Sequence, residues 1–199
     1  MRKVVVFNNL TLDGVVQAPG RREEDQRDGF QHGGWAAPYG AMQTREVGEV
    51  LPGFGSLLLG RRTYEILYDF WPKQTNSPFT DILNKMQKYV ASTTLTGPLP
   101  WSNSTLLKGS LPEAVTALKA QEGDALVVMG SGQLIQSLMK HNLIDRYVLL
   151  IHPLVLGSGH RLFADHGECA SLQLVSAKGT PNGVVVAAFE PAKPMEMSA

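Results

Sequence analysis

Two stretches of this sequence end an apolar run on glycine and open at once into a helical pattern. In ALVVMGSGQLIQSL, residues 125–138, five apolar residues run into Gly130-Ser131-Gly132. In SLLLGRRTYEIL, residues 56–67, a run of leucines ends on Gly60 and is followed by Arg61, Arg62 and Thr63, the last read as a helix cap. A helix that starts directly after a buried strand leaves its first N–H groups unpaired. Those donors, together with the helix dipole, favour an anion. Glycine removes the Cβ that would bar close approach. Two arginines oppose the dipole of their own helix, but they suit a bound anion, because guanidinium grips phosphate through paired donors. The bland alternatives are a tight strand-to-helix turn without a ligand and a pair of solvated arginines. A third stretch, KYVASTTL, ends on the hydroxyls of Ser92, Thr93 and Thr94.

Such turns need elements that deliver them to one place. Runs rich in Val, Leu and Ile predict strands over residues 3–8, 56–59, 88–92, 125–129, 146–152, 172–177 and 184–189. The first five are nearly continuous in apolar residues, as in strands covered on both faces. Helical patterns over residues 41–51, 63–70, 79–86, 111–120 and 133–141 separate them, and this alternation predicts an α/β fold. The last two strands have no helix between them, and Pro181-Asn182-Gly183 reads as the turn of an antiparallel hairpin. The sheet is therefore expected to be mixed and mainly parallel. Parallel strands bring their C-terminal ends to one side, where open α/β sheets bind ligands. A ligand with phosphates at separated points, such as a dinucleotide, would use all three turns. Residues 1–190 read as one domain and residues 191–199, PAKPMEMSA, as a frayed tail.

Composition narrows the partners. The chain has 199 residues, with 43% hydrophobic residues and 18 basic against 18 acidic side chains. This balance, without a basic block, speaks against nucleic acid. No apolar run approaches the roughly 20 residues of a membrane span. Cys169 is the single cysteine, which excludes a disulfide framework and a cysteine-rich metal site. A cytoplasmic protein that binds no metal is expected. His152, before Pro153, reads as a core histidine. The glycine turn is not a Rossmann fingerprint, since the third glycine is missing and no acidic residue follows the next strand.

The order TLDGVV, LLLGRRTYE, KYVASTTL, VVMGSGQLIQSL and LIDRYVLLIHPLVLGSGHRLF resembles the dihydrofolate reductase-like superfamily. The likeness is greatest to bacterial proteins related to the reductase domain of the riboflavin-pathway deaminase–reductase, and it covers residues 3–189. It implies a single-domain, three-layer α/β fold with a mixed, mainly parallel sheet, flanking helices and a C-terminal antiparallel hairpin, and it implies NADPH as reductant. Carried over residue by residue, Gly60, Arg61, Arg62 and Thr63 would grip the adenosine 2′-phosphate. Ser92 and Thr93 would lie near the adenosine. Gly130, Ser131, Gly132, Gln133 and Leu134 would carry the pyrophosphate, and Thr11, Asp13 and Gly14 would border the nicotinamide. Asp13 is then the acid/base candidate, although Asp-Gly is also plain turn chemistry.

The likeness has departures. The acid that a dihydrofolate reductase carries in its first helix has no counterpart in register, Glu46 lying slightly off it. The loop DGFQHGGWAAPY, residues 28–39, differs from a folate site. Trp35 in that loop is a candidate for stacking on a flat heterocycle, or else a packed tryptophan. No zinc deaminase signature is present. The expectation is an NADPH-dependent reductase of a small pterin- or ribosylaminopyrimidine-like heterocycle, homodimeric by resemblance. The alternative is a non-catalytic nucleotide-binding or interaction module on the same fold.

Overall fold

The computed structural model describes residues 1–40, 47, 49, 55–75, 77–163 and 169–193. In chain order the strands are β1 (Val4–Thr11), β2 (Ser56–Gly60), β3 (Gln87–Ala91), β4 (Ser104–Leu107), β5 (Leu126–Met129), β6 (Arg146–His152), β7 (Leu172–Gly179) and β8 (Val185–Pro191). The α-helices are α1 (Arg61–Phe70), α2 (Pro78–Lys85), α3 (Leu111–Ala120) and α4 (Gly132–Lys140). The helix expected over residues 41–51 falls outside the described residues except for Val47 and Glu49, both helical. The chain divides into two compact units, Met1–Val4 with Gly53–Leu143 and Val5–Pro52 with Ile144–Ala199.

In the first unit the strands run β4-β3-β2-β5, and all three pairings are parallel. Leu57, Leu58, Leu59, Val127 and Val128 are fully buried, as the unbroken apolar runs require of strands covered on both faces. β4 was not expected from the sequence. Its four residues, STLL, are half-buried or exposed and carry too short a pattern to stand out. Lys88 on β3 is also fully buried. Its Nζ donates to the carbonyls of Leu83 and Met86, both at 2.6 Å, so it satisfies acceptors that the C-terminus of α2 leaves open. It lies 4.6 Å from the centre of the Trp101 ring and is pushed down to about 8 by burial. This buried cation fixes β3 against α2, and β3 leads directly into the hydroxyl cluster at Ser92.

The second unit has the order β1-β6-β8-β7. β1 pairs with β6 in parallel, with Thr11 opposite His152. β6–β8 and β8–β7 are antiparallel, so the C-terminal hairpin forms as expected. In its turn Thr180 Oγ1 donates to the carbonyl of Val184 at 2.8 Å. The long connection after β1 is held by a small core of Val15, Ala18, Phe30, Trp35 and Ala36, with Leu154 and Leu156 packed on it. Parallel pairings outnumber antiparallel ones in the two units, and the fold is mixed, mainly parallel α/β.

Candidate functional site

The register of the first unit brings three turns to one end of its sheet. Gly60 pairs with Ala91 at the ends of β2 and β3, and Leu58 pairs with Val128 near the end of β5. The chain leaves these ends through Arg61, Ser92 and Gly130. Helix α1 starts on Arg61, with Gly60 at its N-cap and no side chain capping it. Thr63 therefore sits inside the first turn and is not the cap that the sequence pattern implied. Helix α4 starts on Gly132, with Ser131 at its N-cap in the left-handed region and again no side-chain cap. Two helix N-termini thus present first-turn N–H groups without side-chain acceptors, the donor set that an anion uses.

The two turns are fastened together by one hydroxyl. Ser131 Oγ accepts the Gly60 N–H at 2.9 Å and donates to Thr63 Oγ1 at 2.6 Å. A Cβ on Gly60 would meet Ser131 Oγ at 2.9 Å, and a Cβ on Gly130 would meet Thr63 Cγ2 at 3.0 Å. Gly130 also has φ +62°, a conformation in which glycine carries no steric cost. Close approach at these two glycines is therefore approach of one turn to the other.

Arg61 and Arg62 are both exposed. Arg61 Nε donates to Glu65 Oε1 at 2.8 Å, and its terminal nitrogen donates to Thr94 Oγ1 at 2.6 Å, so the guanidinium bridges the GRRT turn and the STT turn. Ser92 Oγ accepts the N–H groups of Thr94 and Leu95 at 3.1 and 3.0 Å, which fixes that turn. Thr93 and Gln133 are exposed, whereas Leu134 is buried and packs inward. The residues that bridge the turns hold oxygen acceptors of their own, and the exposed arginines and uncapped N–H groups fit phosphates.

In the second unit the TLDG segment is a tether. Asp13 accepts from Thr11 Oγ1 at 2.6 Å, from the Leu156 N–H at 3.2 Å and from the Gly157 N–H at 2.8 Å. The Thr11 hydroxyl, helped by these two N–H groups, holds the carboxyl down at about 2. Asp13 is therefore ionised at neutral pH and has no proton to give. Gly14 has φ +86°, accepts at its carbonyl from the Leu162 N–H at 2.9 Å, and follows a carbonyl that takes Arg161 Nε at 2.9 Å. Trp35 is buried, and its Nε1 donates to the Gln17 carbonyl at 2.7 Å. Glu46 lies outside the described residues. Among the described residues no group of three or more His, Cys, Asp or Glu could hold a metal, and no helix is long and apolar enough to cross a membrane.

Residues 2–186 match the family of the RibD C-terminal domain. The chain belongs to that family. The chain is 26% identical over 190 residues to an uncharacterized Bacillus subtilis protein, YyaP, with 92% of each chain covered. Its fold is similar to that of a putative riboflavin biosynthesis protein from a Shewanella species, at 19% identity and a TM-score of 0.65, covering 96% of this chain and 99% of that one. It is also similar to dihydrofolate reductase from Enterococcus faecalis, whose structure holds NADP(H), at 13% identity and a TM-score of 0.60, covering 96% and 97%. The fold of the chain is dihydrofolate reductase-like, and its family is of the reductase type.

The structure adds a pairing that the sequence had not shown, because His152 read only as a core histidine and Asn9 was not singled out. Asn9 and His152 face each other across β1 and β6, with His152 Nε2 and Asn9 Oδ1 2.9 Å apart. Tyr39 stands against the same imidazole. Only the register of two parallel strands brings Asn9 and His152 together, and no local pattern in the sequence carries that information.

Proposed function

We propose that this domain is an NADPH-dependent reductase that passes a hydride to a small flat heterocycle, pterin- or ribosylaminopyrimidine-like. What supports the reading most is the joined pair of turns, with two uncapped helix N-termini and the exposed Arg61 and Arg62 at one sheet end. In this reading Arg61, Arg62 and Thr63 take the 2′-phosphate, with Ser92 and Thr93 near the adenosine. The backbone from Gly130 through Ser131, Gly132, Gln133 and Leu134 takes the pyrophosphate, with Gly60 closing the cradle. Thr11, Asp13 and Gly14 are assigned to the nicotinamide end by the resemblance. NADPH, when bound, supplies the hydride.

The role of Asp13 follows from its hydrogen bonds. A carboxylate held at about 2 serves better as a tether than as a proton donor, so we assign it the positioning of its loop, the proton arriving by another route such as ordered water. Trp35 is assigned to the substrate side as a packed wall, and Glu46 remains a substrate-binding candidate. The domain is placed in the cytoplasm as a homodimer. Edge strand β7, with Leu174 and Val175 exposed, is a surface suited to pairing with a second copy.

The test is a fluorescence titration of the protein with NADPH and NADH, followed by single-turnover oxidation of bound NADPH with candidate heterocycles. Tighter binding of NADPH with turnover supports the reductase. Binding without turnover on any pterin or aminopyrimidine favours a nucleotide-binding module, a reading that the ionised Asp13 also favours. Absence of both leaves an interaction module on this fold.

A further inference from the structure

We propose that Glu65 is a built-in competitor for the Arg61 guanidinium, its carboxylate holding the group that a cofactor 2′-phosphate would take, so that NADPH binds by displacing it. Glu65 thereby lowers the preference for NADPH over NADH. The inference rests on the reductase reading and names a residue that sets cofactor specificity at the same turn.

Arg61 is the first residue of α1, and Glu65 stands one helical turn further on. Arg61 Nε donates to Glu65 Oε1 at 2.8 Å, and Arg61 Nη1 donates to Thr94 Oγ1 at 2.6 Å. A guanidinium offers an anion two paired edges, Nε with Nη2 and Nη1 with Nη2. Each edge of Arg61 therefore has one nitrogen engaged. The two partners respond differently to a phosphate. The Thr94 hydroxyl has a hydrogen as well as lone pairs, so it can accept from Arg61 and donate to a phosphate oxygen at once. Ser92 Oγ, 3.4 Å away, holds that hydroxyl only weakly. The Glu65 carboxylate has acceptors only. It repels a phosphate and cannot share the Nε edge with one.

The pair does little for its own helix. Positive charge in the first turn opposes the helix dipole. An acid and a base four residues apart stabilise a helix better with the acid first, and here the arginine comes first. The contact is also loose. Arg27 and Arg146 clasp Asp25 and Glu190 through Nε and Nη2 together, whereas Arg61 gives Glu65 Nε alone. The Arg61 and Glu65 side chains are 49% and 46% exposed, so the carboxylate can swing into water when a phosphate takes the edge. Its charge then stays one turn from Arg61 and still opposes the phosphate. NADH has no 2′-phosphate and leaves the pair intact.

The experiment titrates the full chain with NADPH, NADH and adenosine 2′,5′-bisphosphate, a probe that carries the 2′-phosphate without the nicotinamide. Wild type is compared with Glu65→Gln, Glu65→Ala, Arg61→Ala and the double variant Arg61→Ala/Glu65→Gln. Both Glu65 variants should bind NADPH and the bisphosphate about threefold or more tightly, with NADH binding unchanged. In the Arg61→Ala background the Glu65→Gln gain should largely vanish. Weaker NADPH binding by the Glu65 variants would make Glu65 a support for Arg61, and equal binding would make it a bystander. An equal gain for NADH, or a gain kept in full without Arg61, would make it a general charge effect. Each of these results overturns the proposal, and NADPH binding with turnover in the wild type still spares the reductase. If none of these proteins binds NADPH or the bisphosphate, the phosphate reading of GRRT falls and this inference with it. Tighter bisphosphate binding by the Glu65 variants, without turnover of any heterocycle, supports the competitor role and removes the reductase.

Discussion

The hydroxyl of Ser131 accepts the N–H of Gly60 and donates to the hydroxyl of Thr63, so one oxygen joins two turns that are 68 residues or more apart in sequence. Ser131→Ala leaves both partners without their bond and should cost about 1–3 kcal/mol in urea unfolding. Thr63→Val should cost less, about 1 kcal/mol, because Gly60 keeps its acceptor. A Ser131→Ala protein as stable as the wild type would show that the turns hold without this oxygen.

The two glycines of the GSG turn should separate stability from binding. Gly130 has positive φ, and an added Cβ would meet Thr63 Cγ2 at 3.0 Å. Gly130→Ala should therefore cost about 1–2 kcal/mol without any ligand. Gly132 is the first residue of α4, where a side chain is tolerated by the helix but stands before the first-turn N–H groups. Gly132→Val should weaken NADPH binding more than it lowers Tm. Unchanged NADPH affinity in a folded Gly132→Val protein would place the pyrophosphate elsewhere.

NADPH should bind more tightly than NADH, and Arg61 should carry most of the difference. Its ties to Glu65 and Thr94 are exposed, and exposed pairs are worth little. Turning the guanidinium to a phosphate therefore costs little. A charge-assisted bond of about 1.5–3 kcal/mol corresponds to roughly a tenfold to hundredfold preference. Arg61→Ala should remove most of it and leave NADH binding nearly unchanged. Equal affinities in the wild type would remove the reason for a phosphate at GRRT.

The sequence made the regular elements readable where burial was uniform. β6 and α3 occur over the residues expected, because unbroken apolar runs and a 3.6-residue period report burial directly. β4 escaped notice because a short, half-buried strand is defined by its pairing with β3, not by its own pattern. At the phosphate turns the residue types were legible and their bonds were not. Thr63 looked like a cap because hydroxyls cap helices, yet its oxygen is taken by Ser131, a partner 68 residues away. His152 is the clearest case. Its burial was readable from the run RYVLLIH, but its facing of Asn9 depends on strand register, which no local spacing encodes.

Stability should fall as the solution is acidified through the histidine range. Burial lowers the His152 value in the folded protein, while the unfolded chain titrates near the ordinary value of about 6.5. Below that pH the unfolded state binds a proton that the folded state resists, so stability present above it is lost as pH drops toward the folded value. Tm measured from pH 8 to pH 5 should decline more steeply in the wild type than in His152→Phe. Parallel curves would mean that the imidazole reaches water in the folded protein.

Asp13 should behave as a tether and not as an acid. Its folded value is lowered from 3.8 to about 2, first by the Thr11 hydroxyl and then by the Gly157 and Leu156 N–H groups. A depressed carboxyl contributes stability above its unfolded value and loses that contribution as pH falls through the folded one. The window is therefore from about pH 4 down to about pH 2. In that window the amide resonances of Leu156 and Gly157 should titrate with a midpoint close to 2, reporting the carboxylate that they bind. Asp13→Ala removes three acceptor contacts, should cost about 1–2 kcal/mol, and should speed hydrogen exchange at both amides. If Asp13 instead serves as the proton donor, its midpoint must rise toward neutrality when NADPH and substrate are bound. Amide midpoints that stay near 2 in that complex would confine the residue to holding its loop. A rise of several pH units would return it to the chemistry.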